Sequence, residues 1–243
     1  MADDGEAAAG HEEACAFVAS LFGSRWLRHY VGSKLRSDPV FKMSFELLGD
    51  SVEPILDVGC GMGLLAFYLR ERGCEQTITG IDIDARKLRE AARIVEQKAY
   101  HGLQFIAQDI GRELPGFTGN VVMFDVLHYL APDEQQKLLS TLARRVASGG
   151  VLLLRDSPRE RSGRFRATHA AEIFAQAISW NWRTPLHFAT AEAIGSAFSE
   201  AKFSHRVIPA WGRTPFNNRL FIFRRHGSAA DQVQESRTET RAR

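Results

Sequence analysis

The sequence predicts an α/β protein: a doubly wound, mostly parallel seven-stranded sheet with an antiparallel C-terminal strand and an N-terminal helical cap. Three observations predict it. Between residues 54 and 154 short apolar runs alternate with amphipathic helical runs, the pattern of strands joined by crossover helices with both sheet faces covered. The first strand lies in Ile55-Leu-Asp-Val-Gly-Cys-Gly-Met-Gly63, where an apolar run ends in an acid and passes into glycines at alternate positions. Near the end of the chain, two extended runs are joined by a loop rather than a helix, so they close the sheet as an antiparallel pair.

Residues 1–12 are small and acidic and read as a frayed end. From about 13 to 49 the pattern is helical: Ala16, Phe17, Leu21 and Phe22 form a stripe that Trp26, Tyr30 and Val31 continue. A further helix, Val40–Leu48, starts after Ser37-Asp38-Pro39, with proline in its first turn. These helices precede the first strand and can lie across the mouth of the sheet. Pro54–Val58 is the first strand, and Leu64–Arg72 a helix stopped at Gly73. Thr77–Ile83 is the second strand, after which Asp84 caps a helix bearing Leu88, Ala91, Ala92 and Val95. Leu103–Ala107 and Val121–Asp125 are the third and fourth strands. Asp133 and Gln136 suggest a capping box for the helix carrying Leu138, Leu139, Leu142 and Val146; Gly149-Gly150 ends it, and Val151–Leu154 is the fifth strand. Phe165–Ile178, and Ala191–Ala201 behind Thr190, read as helices; Ser204–Ile208 and Arg219–Phe223 are the closing strands. Residues 226–243 are polar without periodicity and read as a disordered tail.

The bulk numbers narrow the function classes. A chain of 243 residues, 44% hydrophobic and 25% charged, fits one medium domain with a cap. A net charge of +2 is too small to argue for a nucleic-acid partner on its own. No run approaches the roughly 18 apolar residues of a membrane span, and the acidic start lacks the basic region of a secretory signal. Cys15, Cys60 and Cys74 are scattered and suggest neither a disulfide framework nor a metal site. The expectation is a cytoplasmic protein.

Gly59, Gly61 and Gly63 give the turn after the first strand access to positive φ and let a ligand reach the backbone, while the following helix presents free N–H groups there. A dinucleotide fingerprint would need glycine at position 64, where Leu64 stands. An acid, Asp57, followed by Gly-x-Gly-x-Gly instead resembles motif I of the class I S-adenosylmethionine-dependent methyltransferases of the small-molecule type. Asp82 closes the second strand beside this turn, where a carboxylate can accept both hydroxyls of a ribose; Asp84 is a rival whose oxygens a helix cap would occupy. Cys60 reads as a small filler, since no base stands beside it in sequence.

The resemblance implies a seventh strand inserted antiparallel and a cofactor, S-adenosyl-L-methionine. It implies that Asp57 orients the methionine amino group. It implies that Asp109, in Gln108-Asp109, bonds the adenine amino group while Ile110 packs on the ring. Gly59, Cys60, Gly61, Gly63, Ile83 and Gln108 complete the expected cofactor contacts. Phe124-Asp-Val-Leu-His-Tyr129 matches the segment after the fourth strand, with Asp125 anchoring the loop, Leu127 lining the methionine pocket and His128 the candidate general base.

Trp180, Trp182, His187, Phe188, Trp211 and Phe216, with Trp26 and Tyr30, read either as an aromatic-lined acceptor pocket or as ordinary packing. Arg155, Arg159, Arg161, Arg164 and Arg166 read as solvated surface or as a handle for an anionic substrate, such as a carrier protein's phosphopantetheine. The reading is a cap (1–50), a methyltransferase domain (51–225) with a substrate cover at about 156–190, and a tail (226–243). The domain would move a methyl group by in-line displacement to a small, aromatic or carrier-bound acceptor of secondary metabolism, with O-methylation favoured. No Asn-Pro-Pro-Tyr segment follows the fourth strand, which disfavours nucleic-acid acceptors. The rival readings are a cofactor-binding partner without turnover and a nicotinamide oxidoreductase. The sequence carries no signal of oligomeric state.

Overall fold

The strand order β3-β2-β1-β4-β5-β7-β6 reverses at β1, and that reversal positions the site. The computed structural model describes residues 2–227 apart from 113, 161, 170–184 and 213. The strands are β1 (Ile55–Val58), β2 (Ile78–Asp82), β3 (Leu103–Ala107), β4 (Asn120–Phe124), β5 (Val151–Asp156), β6 (Phe203–Pro209) and β7 (Arg219–Arg225). From β1 the chain builds outward through β2 and β3, then returns to place β4 on the other side of β1 with Val58 opposite Met123. The loops after β1 and β4 therefore leave the sheet side by side, where open α/β sheets bind ligands. β1 to β5 are parallel, and β7 enters antiparallel between β5 and β6.

The helices are α1 (Ala2–Ser20), α2 (Arg25–Ser37), α3 (Val40–Leu48), α4 (Leu64–Glu71), α5 (Ala85–Lys98), α6 (Pro132–Arg145) and a short α7 (Ala191–Gly195). The two-residue period of the strands divides the core. Ile55 and Val122 face the layer of α1–α5, while Leu56, Val58, Val121 and Met123 face the layer of α6 and α7. Fully burying such side chains stabilises by about 1.5–3 kcal/mol each. The cap docks by α1 and α3 packing on α4.

Several boundaries differ from expectation. The chain is helical from Ala2 rather than frayed to residue 12, consistent with its alanines and early acids. The cap breaks at residues 21–24, where the Ser24 hydroxyl accepts the Leu27 N–H at 3.0 Å. The capping box predicted for α6 is absent: Pro132 is the first helical residue, and the Glu134 carboxylate accepts the Ala131 N–H at 2.9 Å. Gln136 instead donates to the Ala193 carbonyl, tying α6 to α7. β5 runs two residues further, to Asp156, because β7 pairs with it along its whole length. α7 ends at Gly195 rather than near 201. Of the helix expected over 165–178, residues 163–169 are helical and the remainder lies outside the described residues, as do residues 228–243 of the expected tail.

Candidate functional site

Gly59, Gly61 and Gly63 all adopt left-handed backbone, with φ of 77°, 57° and 75°. A Cβ on Gly59 would lie 2.2 Å from Val126 Cγ2, and one on Gly63 2.5 Å from Phe105, whereas one on Gly61 would meet nothing within 4 Å. Two of the glycines are thus required by packing as well as conformation, and the third leaves an open cradle. Cys60 lies over Gly80, whose Cβ would sit 2.7 Å from the sulfur. Burial, then the nearby Asp57 and Asp82, push its thiol far up, so it acts as a filler.

Asp57 is buried at 4% exposure, and no hydrogen bond reaches its carboxylate among the described residues. Burial, aided by the charge of Asp82, raises it to about 7. This is a carboxylate that a cation would rescue. Asp82 closes β2; one oxygen accepts the Gly61 N–H at 2.8 Å and the other the Asp84 N–H at 2.8 Å. It therefore ties β2 to the glycine turn and keeps lone pairs for a ligand. Asp84 caps α5 through the Arg86 N–H and pairs with the Arg86 guanidinium. Ile83 is 68% exposed beside Asp82, an apolar surface with no protein cover. After β3, the Gln108 N–H bonds the Asp82 carbonyl, and the Asp109 carboxylate accepts the Gly111 N–H at 3.0 Å and pairs with Arg112. Ile110 packs against the α6-side core.

The segment after β4 opens with Asp125 in left-handed backbone, φ 57°. Arg155, at the end of β5, holds it there: Nε donates to Asp125 Oδ1 at 3.0 Å and Nη2 bonds Oδ2. Nη1 of the same arginine lies 2.5 Å from both oxygens of Asp38, at the junction of α2 and α3. Arg155 is 3% exposed, so the expectation of a solvated surface arginine is corrected, although it stands among the residues lining the cavity beside His128. Burial disfavours its charge, yet Asp125 and Asp38 hold its pKa above the ordinary value. Burial likewise pushes Asp125 up, but Arg155 outweighs it and keeps the carboxylate below its usual range.

Leu127 is 1% exposed in the α6-side core, which argues for packing rather than a pocket lining. His128 is buried, with Nδ1 2.9 Å from Asp156 Oδ1; Asp156 also accepts the Ser157 N–H. The Phe188 ring stacks on the imidazole, and the His187 N–H donates to the His128 carbonyl. Asp156 lies beyond the strand that the sequence pattern predicts, which ends at Leu154, whereas β5 runs to Asp156. A polar residue next to Arg155, following an apolar run, was the available signal.

His128 and Asp125 line a cavity of about 680 Å³. Trp26 and Tyr30, stacked at 5.7 Å, wall it from α2; Trp211 and Phe216 wall it from the β6–β7 loop. The cavity walls are thus partly the aromatics expected, while Trp180, Trp182 and Arg161 lie outside the described residues. Arg164 sits over the Trp211 ring and donates to the Thr214 carbonyl, fastening the 163–169 helix to that loop. Arg159 and Arg166 are exposed.

Residues 55–150 match the family described as a methyltransferase domain. A ribosomal protein L11 methyltransferase of Methylobacillus flagellatus is 29% identical over 55% of this chain and 43% of its own. A malonyl-[acyl-carrier protein] O-methyltransferase of Enterobacter lignolyticus is 28% identical over 93% of this chain and 85% of its own. The chain spans less than half the length of the L11 relatives it matches. Among solved structures, magnesium protoporphyrin IX methyltransferase of Synechocystis PCC 6803 with bound S-adenosylhomocysteine superposes with a TM-score of 0.60 at 19% identity, over 88% of this chain and 93% of that one, a likeness of fold. Among the described residues no helix is long and apolar enough to cross a membrane.

Proposed function

We propose that this chain, which belongs to the class I S-adenosylmethionine-dependent methyltransferases, methylates a hydroxyl of a small acceptor held in the cavity beside His128. One observation carries the reading. The segment 125–128 touches the glycine turn through Val126 against Gly59, and faces the cavity through Asp125 and His128. The residues that would hold a cofactor and those that would meet an acceptor are thus two sides of one strip of chain.

The site suits the cofactor on its own evidence: an open cradle at Gly61, a buried acid raised towards neutrality, and an uncovered Ile83 beside Asp82. S-adenosylmethionine, when bound, supplies a methyl group already activated on a sulfonium. In this reading Asp57 holds the ammonium group, Asp82 the ribose hydroxyls, and the Gly61 turn the backbone side. Asp109 and Ile110 frame the adenine.

His128 takes the acceptor's hydroxyl proton. With Nδ1–H donated to Asp156, proton uptake falls to Nε2, which is buried until an acceptor or a side-chain shift opens it, and the carboxylate steadies the imidazolium that forms. The aromatic walls orient a flat acceptor and exclude water. A relative that matches along 93% of the chain is named for a carrier-bound acceptor; this supports a carrier-bound form of substrate beside a free one. The L11 relatives match only about half of this chain.

The test is calorimetric titration of S-adenosylhomocysteine, followed by transfer of isotope-labelled methyl to a panel of hydroxylated acceptors. Wild type should bind, Asp82→Ala should bind at least about tenfold more weakly, and His128→Ala should bind normally yet transfer about 10²–10⁴-fold more slowly. Equal transfer rates in His128→Ala and wild type would remove the base from the mechanism. Absence of binding by folded wild type would end the reading.

A further inference from the structure

A larger cavity lies between α1, α2 and α3, and nothing above gives it a role. It measures about 1040 Å³. Its floor is made of small residues, Ala16 and Ala19 on α1 and Gly32 and Ser33 on α2. The helices approach closely there: a Cβ on Gly32 would lie 3.4 Å from that of Ala19. Its rim is cationic, with Arg28, Arg36 and Lys42. The acids nearby are weakly placed or already committed. Glu46 is 3.9 Å from Lys42, exposed Glu12 pairs with exposed Arg36, and Asp38 is bound by Arg155. Arg28 is exposed and makes no ion pair among the described residues. Helix α2 carries Arg25, Arg28, Lys34 and Arg36 and no acid.

This groove and the acceptor cavity share His29, Ser33, Ser37, Asp38 and Pro39. Helix α2 is their common wall, and the groove opens beside the pocket that His128 lines. From Arg28 to Ser37 the helix rises about 14 Å at 1.5 Å per residue, the reach of an extended arm rather than of one ring. A free small acceptor would use the inner cavity alone. A narrow-floored, cation-rimmed groove that adjoins it along α2 and at Asp38-Pro39 fits an acceptor carried on a long tail with a phosphate.

We propose that the groove holds the phosphopantetheine arm of a carrier protein, with its phosphate at Arg28 and the acidic carrier against α2. The acceptor then reaches His128 tethered. This rests on the acceptor pocket assigned above. The experiment titrates 4′-phosphopantetheine, and the holo and apo forms of an acyl carrier protein, into wild type, Arg28→Glu and Ala16→Trp, with S-adenosylhomocysteine titrated in parallel. Both substitutions fall on exposed positions outside the cofactor site. The expected result is binding of phosphopantetheine and of the holo form, weakened by about tenfold or more in both variants, about 1.4 kcal/mol, with S-adenosylhomocysteine affinity unchanged. Failure of both arm-bearing probes to bind a protein that binds S-adenosylhomocysteine would overturn the proposal. So would inorganic phosphate binding as tightly as phosphopantetheine. Failure of S-adenosylhomocysteine alone would strike the methyltransferase reading and leave the groove to be judged by its own titrations.

Discussion

The two halves of the site are built differently. The cofactor half is local: Asp57, the three glycines and Asp82 lie within 26 residues, and the Gly61 N–H donates to the Asp82 carboxylate. The acceptor half is assembled from α2, the 125–129 segment, the end of β5, the 163–169 helix and the β6–β7 loop. A single buried side chain, Arg155, ties acids 30 and 117 residues away in sequence. A ligand-binding turn needs special backbone, which neighbouring residues can supply. A pocket shaped to one acceptor needs walls, which only distant segments can supply.

That contrast can be broken most forcefully at Arg155. Arg155→Ala removes the buried guanidinium that binds the half-buried Asp38 and Asp125, leaving Lys34, 3.9 Å from Asp38, as the nearest cation, and should cost as much as about 4 kcal/mol of stability by urea unfolding. Folded molecules should still bind S-adenosylhomocysteine. Unchanged stability would mean that the cap does not depend on this arginine.

Asp57 probes the cofactor half in the same currency. Its folded-state value of about 7 lies above the ordinary one of 3.8. Between those values the folded chain holds a proton that the unfolded chain has released, so the group costs nothing below about pH 4 and its full amount above about pH 7. Asp57→Asn should therefore stabilise the protein at pH 8, by up to about 4 kcal/mol, with the gain vanishing towards pH 4. It should also weaken S-adenosylhomocysteine binding. In wild type that binding should release a proton near pH 6, seen as a dependence of calorimetric heat on buffer ionisation. A loss of melting temperature at pH 8 would mean that Asp57 is a structural acid.

Gly59 tests whether the two halves meet. Gly59→Ala meets both a left-handed φ and Val126, and should cost about 1–3 kcal/mol with loss of cofactor affinity. Val126→Ala in the same chain should recover part of it by removing the 2.2 Å clash. Strict additivity of the two substitutions would deny the contact.

The smallest effect belongs to Trp26, 73% exposed on α2. Trp26→Ala should change stability by no more than about 0.5 kcal/mol while raising KM for a methylated acceptor. An unchanged KM would make the aromatic wall ornamental.

Much of the cofactor half was legible. Positive φ demands glycine, so Gly59, Gly61 and Gly63 announced the turn, and a strand-end acid announced Asp82. Asp84 as a helix cap was also legible, because a cap bonds within a few residues. The acceptor half was not. Arg155 looked like one of five surface arginines, since nothing within ten residues reveals the two half-buried acids, Asp38 and Asp125, that bind it. His128 could be singled out by residue type and place, but not its partner: Asp156 reaches it across two parallel strands, through a strand that the sequence pattern ended too soon.

By itself, then, the sequence determined the alternation of strands and helices, the glycine turn and the acids beside it, because local backbone preference and two- and 3.6-residue periods are written in neighbouring residues. Tertiary structure alone decided the partner of the base, the burial of Arg155, and the placing of α2 between two cavities. Those depend on which distant elements pack together, and packing is a property of the whole chain.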